Sequence, residues 1–153
     1  MIRELKMDEY EKCKEIREMA SPPQSEDFFE DFTSGNRMIY VYERDGKFIG
    51  EGALVYKNSD PDYTIANQRI YMSRLMVNEN YRNQGIGGQI IDFLIEKAKS
   101  LGFTEIAIGV DKDNTTACHL YKKKGFTTIL FEGEDEGGAY FKLMKKIDKE
   151  RSQ

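Results

Sequence analysis

Residues 81–88, with the sequence Tyr-Arg-Asn-Gln-Gly-Ile-Gly-Gly, have the composition of an anion-binding loop. Glycines at positions 85, 87 and 88 let backbone N–H groups approach a ligand closely. The helical pattern that follows adds the unpaired N–H donors and the positive dipole end of a first helical turn. Arg82 supplies a charge-assisted donor. The loop therefore predicts a pyrophosphate site, and a glycine-rich helix start that only packs tightly against a sheet is the alternative.

Two other kinds of phosphate loop match this stretch poorly. A dinucleotide-binding fingerprint requires a third glycine at position 90, where the chain has Ile90, although Asp111 lies near the distance expected of a ribose-binding acid. A Walker A loop requires Gly-Lys followed by Ser or Thr, which the sequence lacks. Hydrolysis of a nucleoside triphosphate is therefore not indicated.

The elements that position this loop are well defined by the residue pattern. Residues 70–77 read as a strand, and a long helix follows that Gly102 closes. The apolar face of that helix consists of Ile86, Ile90, Ile91, Leu94, Ile95, Ala98 and Leu101. The pattern then predicts a strand over 105–110 and a further helix, which Asn114 caps and which runs through Lys124.

The N-terminal region predicts one strand and two helices. A strand over 2–5 precedes a helix over 8–20, which begins with the capping-box pair Asp8 and Glu11 and ends before two prolines. Ser25 can cap a second, short helix. The large apolar side chains of that helix are Phe28, Phe29 and Phe32.

Two hairpins complete the pattern. Strands over 38–43 and 48–56 flank an Asp-Gly turn, and a final antiparallel pair covers 127–132 and 139–146. Strand-helix-strand units favour parallel pairing, whereas hairpins are antiparallel. The order βααβββαβαββ therefore predicts an α/β fold in which helices flank a mixed central sheet, within one domain over 1–153.

Composition limits the classes of function. The 153 residues include 23 Lys and Arg against 27 Asp and Glu, for a net charge of -4. An acidic chain is a poor general binder of nucleic acid, and no apolar run approaches the roughly 18 residues of a membrane span. Cys13 and Cys118 form no metal-ligand or disulfide pattern. We expect no nucleic-acid, membrane or metal partner and, because the N-terminus lacks an apolar leader, a cytoplasmic protein.

Two spaced motifs resemble those of a known protein family. The pattern Arg82-x-x-Gly85-x-Gly87, preceded by Leu75-x-Val77 at a strand end, resembles the acetyl-CoA signature of the GNAT superfamily of N-acetyltransferases. A second segment is similar to that family's Asn-x-x-Ala-x-x-x-Tyr-x-x-x-Gly-Phe pattern, with Asn114, Ala117, Tyr121, Gly125 and Phe126 at matching positions. The element order is similar over nearly the whole length. The resemblance implies the GNAT fold and direct transfer of an acetyl group from acetyl-CoA to an amine.

The resemblance also implies how acetyl-CoA is held. In this family the fourth and fifth strands splay apart, and the pantetheine arm pairs with exposed strand backbone, here that of Leu75, Met76 and Val77. The pyrophosphate would lie on the backbone amides of Arg82, Asn83, Gln84, Gly85, Ile86, Gly87 and Gly88. Further cofactor contacts would come from Asn114, Ala117, Tyr121, Lys123 and Lys124.

Acyl transfer to an amine requires a neutral amine, a polarised carbonyl and a protonated leaving sulfur. Freeing the lone pair of an amine with a pKa near 10.4 costs about 4.6 kcal/mol at pH 7. A strand N–H near Met76 is suited to stabilise the oxyanion, and Tyr121 is suited to act as the general acid. The alternative for Tyr121 is an aromatic side chain that only packs. Several relatives place a general-base Glu where this chain has Tyr71, so Glu51, Glu79 and a water relay stay open as bases.

Acidic residues near the expected acceptor side favour a cationic acceptor. They are Glu26, Asp27, Glu30, Asp31, Glu132, Glu134, Asp135 and Glu136. A solvated face and an exposed turn are the alternative interpretation. We therefore expect a small, cationic amine as acceptor. A homodimer stays open, as does a non-catalytic acyl-CoA-binding or sensing module with the same fold.

Overall fold

The computed structural model describes residues 1–13, 16 and 29–148 of the chain. Its strands are β1 (Ile2–Glu4), β2 (Arg37–Arg44), β3 (Lys47–Val55), β4 (Arg69–Val77), β5 (Glu105–Asp111), β6 (Thr128–Asp135) and β7 (Gly138–Lys146). The α-helices within the described residues are α1 (Phe29–Thr33), α2 (Ile86–Ser100) and α3 (Thr115–Lys123). Two short 3₁₀ helices cover Met7–Cys13 and Glu79–Tyr81.

The strands form one sheet in the order β1-β2-β3-β4-β5-β7-β6. Neighbouring strands are antiparallel except for β4 and β5, which are parallel. The parallel pair is connected through α2, as expected of a strand-helix-strand unit. The predicted α/β fold with a mixed central sheet flanked by helices is therefore confirmed.

The β2–β3 hairpin turns where the Asp-Gly dipeptide predicts. Asp45 and Gly46 have φ angles of 53° and 78°, and positive φ at both central residues is the turn geometry that matches the twist of paired strands. The last hairpin differs from the prediction, which placed a long loop between its strands. Because β6 extends through Asp135 and β7 begins at Gly138, the connection has only two residues.

β4 and β5 pair over a short stretch and then diverge. The register positions are Arg69↔Glu105, Ile70↔Ile106 and Tyr71↔Ala107. Beyond them β4 continues beside β3 as far as Val77, and β5 continues beside β7 as far as Asp111. The carboxyl-terminal halves of two neighbouring strands therefore border a gap in the sheet.

A β-bulge lies in β4 at the edge of this gap. Met76 lies opposite Glu51 of β3 and Ser73 lies opposite Ala53, so β4 has one extra residue between the two pairs. Arg74, within the bulge, has a φ of 57°, a left-handed conformation that costs a non-glycine residue roughly 1–2 kcal/mol. Bulges of this kind redirect side chains and end regular pairing next to functional sites.

The helix α2 packs closely on β3 because glycines of β3 face it. Ile90 and Leu94 of α2 are fully buried. A β-carbon at Gly52 would lie 2.9 Å from each of them, and one at Gly50 would lie 2.8 Å from Ile90. This close approach fixes the first turns of α2, and with them the glycine-rich loop, against the sheet.

The other face of the sheet is covered by the N-terminal segment. Its buried core consists of Leu5, Tyr10, Cys13, Phe32, Ile39, Val41 and Ala53. Of the predicted phenylalanines, Phe32 is buried, Phe29 is exposed and Phe28 lies outside the described residues.

In the described part of the range 8–20, the first turns are not the predicted α-helix. Residues Met7–Cys13 form a 3₁₀ helix. The carboxylate that reaches back to cap this segment belongs to Glu9, which accepts a hydrogen bond from the Lys6 N–H at 2.9 Å. Ile16, the other described residue of that range, is α-helical as predicted. The remaining positions lie outside the described residues, as do both prolines and the predicted cap Ser25.

Glu9 also ties the 3₁₀ helix to the sheet through Arg3 of β1. The two guanidinium–carboxylate distances are 2.8 and 2.7 Å. Hydrogen bonds from Arg3 and then from the Lys6 backbone lower the pKa of Glu9 from 4.5 to about 2. The ion pair is therefore present through the whole neutral and mildly acidic range.

Glu9→Gln is expected to reduce stability by an amount that depends on pH. Because the folded-state pKa is depressed, the pair stabilises the fold fully above about pH 4.5, and this contribution is lost as the pH falls toward about 2. Urea unfolding at several pH values measures the difference from wild type. Glu11→Gln, at an exposed position of the same segment, is the control. A Glu9→Gln deficit that does not shrink in acid would contradict this account.

Candidate active site

A cavity of about 540 Å³ opens where β4 and β5 diverge. We call it the cleft cavity. Its walls come from these two strands, from α3, from the connection between β3 and β4, and from the β6–β7 hairpin. The predicted site residues that line it are Leu75, Met76, Asn114, Ala117 and Tyr121.

The position of α3 beside the cleft cavity is set by Asn114. Its side-chain oxygen accepts a hydrogen bond from the Ala117 N–H at 3.1 Å, which caps the first turn of the helix. The predicted cap is therefore correct. At the other end, α3 ends at Lys123, and Gly125 has a φ of 98°, a left-handed conformation common just after a helix.

Tyr121 is buried and lines the cleft cavity from α3. Its ring packs edge-on against Phe126, with 5.7 Å between the ring centroids. Burial raises the pKa of Tyr121 above its ordinary value, and the neighbouring Tyr71 and Cys118 raise it further. The hydroxyl therefore stays protonated at neutral pH and can act as a proton donor.

Several residues of the cleft cavity were not predicted as site residues. Tyr63 and Asp60 come from the β3–β4 connection, Arg74 from the bulge, and Tyr140 and Lys142 from β7. They belong to no local motif, so the sequence carries no signal that would have found them. The tyrosine at position 71, which the sequence placed where relatives have a general base, also lines the cavity.

A second cavity of about 500 Å³ lies at the start of α2 and is called the loop cavity here. It is lined by the predicted residues Val77, Arg82, Asn83, Gly85, Ile86, Gly87, Gly88, Lys123 and Lys124. The loop before α2 and the end of α3 thus meet around one space. Met76 lines the cleft cavity and Val77 the loop cavity, so the two cavities adjoin along the end of β4.

The backbone of the loop is shaped for close approach. Asn83 and Gly85 have φ angles of 63° and 79°, and both residue types tolerate the left-handed region. Gly85 is the N-cap of α2 and provides no side-chain cap. The first N–H groups of α2 therefore have no capping side chain from this residue.

Cations surround the loop cavity, and one carboxylate lies among them. Lys124 forms an ion pair with Asp92 of α2 at 2.9 Å, and both residues line the cavity. Arg82 donates to the Val77 carbonyl across the loop at 3.4 Å. His119 also lines this cavity.

Gln84 is the predicted site residue that lines neither cavity. Its side-chain carbonyl instead accepts a hydrogen bond from Arg44 of the β2–β3 hairpin at 3.2 Å. The guanidinium of Arg44 lies 6.0 Å from the ring centroid of Tyr81. These contacts connect the loop to a hairpin that is distant in sequence.

Neither of the two glutamates considered as bases lines the cleft cavity. Glu51 is 2% exposed and lies on the sheet face covered by the N-terminal segment, close to the buried Arg37 and Ser73. Arg37 donates to the Ser73 hydroxyl at 3.2 Å. Glu79 is exposed in the 3₁₀ helix before the loop. The acids among the described residues that do line the cleft cavity are Asp60, Asp111 and Asp135.

One of the acids predicted to face the acceptor lines the cleft cavity, namely Asp135. Glu132 forms an ion pair with Lys112, and Asp31 accepts a hydrogen bond from Asn36 at 3.3 Å. Glu30, Glu134 and Glu136 are exposed. Glu26 and Asp27 lie outside the described residues.

Metal and membrane features can be stated for the described part of the chain. Residues 1–13, 16 and 29–148 contain no group of three or more His, Cys, Asp or Glu side chains placed to hold a metal ion. Within the same ranges, no helix is both long enough and apolar enough to cross a membrane.

A comparison with protein families decides which fold family this architecture represents. The family model described as "Acetyltransferase (GNAT) family" matches residues 1–126. The chain belongs to the GNAT family. The match includes β4, the glycine-rich loop, α2 and α3, so it covers most of the elements that border the two cavities. The predicted family resemblance is thereby confirmed.

Curated GNAT relatives are similar to parts of the chain. A stretch of 95 residues is 30% identical to the thialysine N-epsilon-acetyltransferase of Bos taurus, covering 56% of this chain and 54% of that protein. The chain spans between 24% and 54% of the length of the curated relatives that it matches.

Solved GNAT structures are similar over nearly the whole chain. The ribosomal-protein-S18-alanine N-acetyltransferase of Escherichia coli matches with a TM-score of 0.78 at 17% identity, covering 97% of this chain and 94% of that one. A GNAT family acetyltransferase from Elizabethkingia anophelis with acetyl-CoA bound matches with a TM-score of 0.70 at 20% identity, covering 96% and 97%. Both likenesses confirm the GNAT fold.

Proposed function

We propose that this GNAT protein is an acetyl-CoA-dependent N-acetyltransferase that acts on a small cationic amine by direct attack. The observation that carries the proposal is the junction of the two cavities at Met76 and Val77, with Tyr121 buried on one side and the glycine-rich loop on the other. One cavity suits the reacting groups, and the other suits a pyrophosphate. The likeness to a GNAT structure with acetyl-CoA bound supports this choice of cosubstrate.

The loop cavity fits the phosphates of acetyl-CoA in its donor set. Backbone N–H groups at the start of α2 would hold the pyrophosphate, because a helix N-terminus without a side-chain cap favours an anion. Arg82, Lys123 and Lys124 would add charge-assisted contacts. Leu75 and Met76, beside the bulge, would hold the pantetheine arm along the exposed edge of β4.

Bound acetyl-CoA supplies an acetyl group activated as a thioester. The backbone N–H near Met76 would orient and polarise the carbonyl, because the bulge and the divergence from β5 leave this end of β4 facing the cleft cavity. Tyr121 would hold the proton that the leaving sulfur takes up. Its raised pKa keeps that proton in place at neutral pH.

The acceptor amine has to lose a proton in the cleft cavity. Neither Glu51 nor Glu79 is among the described residues that line this cavity, so we infer that cavity water takes up the proton. The carboxylates of the described residues that line this cavity are Asp60, Asp111 and Asp135.

The same carboxylates support a cationic acceptor. Two cations of the described residues, Arg74 and Lys142, also line the cavity. Lys142 is paired with Asp60 and with Asp62 at 2.5 and 3.1 Å, so Lys142 and Asp60 offset each other. Asp111 and Asp135 then outnumber the remaining lining cation. Tyrosine rings at the cavity add surfaces that attract an ammonium group. The partial similarity to a protein named for acetylation of thialysine, an amine, is in keeping with this choice.

The proposal is tested by thiol release from acetyl-CoA in the presence of a panel of amines. The panel includes diamines, polyamines, lysine analogues, lysyl peptides and neutral amino-acid esters. We expect turnover with cationic amines. Turnover only with neutral acceptors would refute the substrate class. Acetyl-CoA binding without turnover across the panel would favour the non-catalytic acyl-CoA-binding module.

Asp92→Asn is expected to tighten acetyl-CoA binding about two- to fivefold at low salt. The substitution removes a carboxylate from the loop cavity and frees Lys124 from its ion pair for a phosphate. Calorimetric titration at low and high salt measures the change, which shrinks as screening increases.

The control for this prediction is Glu96→Gln. Glu96 lies one turn later on α2 and pairs with Lys99 at 3.2 Å. Glu96→Gln therefore removes the same charge as Asp92→Asn, but away from the cavity. Equal tightening by both variants would show a general charge effect and would contradict the role given to Lys124.

A further inference from the structure

We propose that the connection between β3 and β4 forms a fixed wall of the acceptor site, in which Tyr63 determines which amines fit and Lys142 holds Tyr63 in place. This inference rests on the proposed acetyl transfer to an amine and names the part of the chain that selects the acceptor. Its first ground is that residues 58–64 are ordered by their own hydrogen bonds.

Internal hydrogen bonds fold this connection into consecutive turns. Asn58 accepts from the Asp60 N–H and Asp60 from the Asp62 N–H, each at 2.9 Å. Thr64 closes the loop by accepting from the Asn58 N–H at 3.0 Å. Arg69 of β4 donates to the Asp62 carbonyl at 2.9 Å. The connection is therefore a shaped element and is anchored to the strand that borders the cleft cavity.

The second ground is the ammonium of Lys142, which reaches this connection from β7. It contacts Asp60 at 2.5 Å and Asp62 at 3.1 Å, and its side chain is only 12% exposed. Burial lowers the pKa of Lys142, but hydrogen bonds with the two carboxylates more than offset this and raise it overall. The charged tie therefore persists across the physiological pH range.

The third ground is the placement of Tyr63 itself. Its ring stacks on Tyr71 of β4, with 4.2 Å between centroids and an interplanar angle of 21°. The Lys142 ammonium lies 5.4 Å from the Tyr63 ring centroid. The ring is thus held by a neighbour from each of two strands.

The hydroxyl of Tyr63 lies over Gly109 of β5. A β-carbon at position 109 would overlap the phenol oxygen, so the absence of a side chain on β5 makes room for it. Tyr63 thereby bridges the gap between β4 and β5 at the cleft cavity. Because the ring is already packed, we infer that its hydroxyl is the group offered to an acceptor.

This arrangement defines a chemical class of acceptor. The stacked tyrosines form a rigid wall, and Asp111 and Asp135, which are not the carboxylates bound by Lys142, supply negative charge at the same cavity. A flexible primary alkylamine with a further polar or charged group fits such a site, because its polar end can bond the Tyr63 hydroxyl and its ammonium group can face the carboxylates.

Steady-state kinetics with the best amine of the panel tests the wall. Tyr63→Phe is expected to raise the KM for the amine about three- to tenfold through loss of one hydrogen bond, and Tyr63→Ala is expected to raise it further. Lys142→Met is expected to raise the same KM, with Lys142→Arg restoring most of it because the tie to the carboxylates is kept. The KM for acetyl-CoA stays within about twofold throughout.

Lys112→Met is the matched control for Lys142→Met. Lys112 is also paired with a carboxylate, Glu132, and lies 4.7 Å from the ring centroid of Phe141, but it does not line the cleft cavity. An amine KM that is unchanged in Tyr63→Ala and Lys142→Met would overturn the proposal. So would an equal effect of Lys112→Met.

A binding measurement separates failure of this inference from failure of the proposed function. NMR of protein with labelled tyrosines, in which Tyr63→Phe identifies the Tyr63 signals, follows titration with the same amines. A shift of the Tyr63 signals without turnover would support the wall and refute the acetyl transfer. Turnover without such a shift would overturn the wall, and the absence of both would overturn both.

Discussion

Tyr121→Phe is expected to lower kcat about 100-fold or more and to leave the KM for acetyl-CoA within about twofold of wild type. The substitution removes only the hydroxyl, so the edge-on contact with Phe126 and the burial of the ring are kept. If the hydroxyl donates the proton to the leaving sulfur, its loss appears in turnover. If Tyr121 is only a packed aromatic, turnover stays unchanged, and that result would contradict its role as the general acid.

The pH profile provides a second readout for Tyr121. Burial raises the pKa of Tyr121 above its ordinary value of 10, so the protonated, active form is retained to higher pH. Wild-type kcat should therefore show no decline from this group until the pH is above about 10. A decline centred near pH 8 that disappears in Tyr121→Phe would contradict the raised pKa.

Tyr56→Phe is the matched control for both measurements. Tyr56 is 37% exposed, follows β3 and contacts Phe103, with 5.9 Å between the ring centroids. It lines neither cavity. Removing its hydroxyl makes the same chemical change outside the site, so it should alter neither kcat nor the pH profile.

Gly52→Ala is expected to destabilise the protein by about 1–3 kcal/mol, although alanine normally costs less chain entropy than glycine. The new methyl group would lie 2.9 Å from side-chain atoms of Ile90 and Leu94, both fully buried. Leu94→Ala alone is expected to cost about 2–5 kcal/mol through the cavity that it leaves. Chemical denaturation measures both.

The double variant tests whether crowding is the cause. In Gly52→Ala with Leu94→Ala, the added methyl group enters part of the vacated space, so the total loss should be smaller than the sum of the single losses. Ile129→Ala, at a position that is 57% exposed, is the control for loss of an apolar side chain and should cost little. Strictly additive losses would show that α2 and β3 do not meet as closely as described.

The contact between Gly52 and Leu94 also matters for function, because α2 begins at the glycine-rich loop. Displacement of α2 from β3 would move the first helical turn relative to the end of β4, where the two cavities adjoin. Gly52→Ala is therefore also expected to weaken acetyl-CoA binding, whereas Ile129→Ala is expected to leave it unchanged.

Most of the fold could be predicted because its signals are local. The Asp-Gly turn, the Asn114 cap and the glycines that end α2 and α3 all act on residues within a few positions of themselves. The N-terminal segment was harder to predict. The capping-box pattern at Asp8 pointed to an α-helix, but the carboxylate of Glu9 bonds Lys6 and Arg3 and holds a 3₁₀ helix instead.

The candidate site also has residues that the sequence predicts and residues that it does not. The predicted cofactor-binding residues do line the cavities, since they come from short continuous stretches at the end of β4, in the loop before α2 and along α3. Gln84 is the exception, because Arg44 of a distant hairpin draws its side chain away. Glu51 was considered as a base on its residue type alone, and only the alternation of β3 against its neighbours shows that it lies on the face covered by the N-terminal segment.

The sequence is enough to predict that a glycine-rich loop suited to an anion follows a strand, that Tyr121 lies on a capped helix, and that the chain resembles the GNAT family. Each of these depends on residues that are close in the chain. Only the folded chain brings together the residues of the proposed acceptor wall, where Lys142 contacts Asp60 from 82 positions away and Tyr63 lies over Gly109. No periodicity or spacing predicts such contacts, because the sheet order that creates them is fixed by packing across the whole domain.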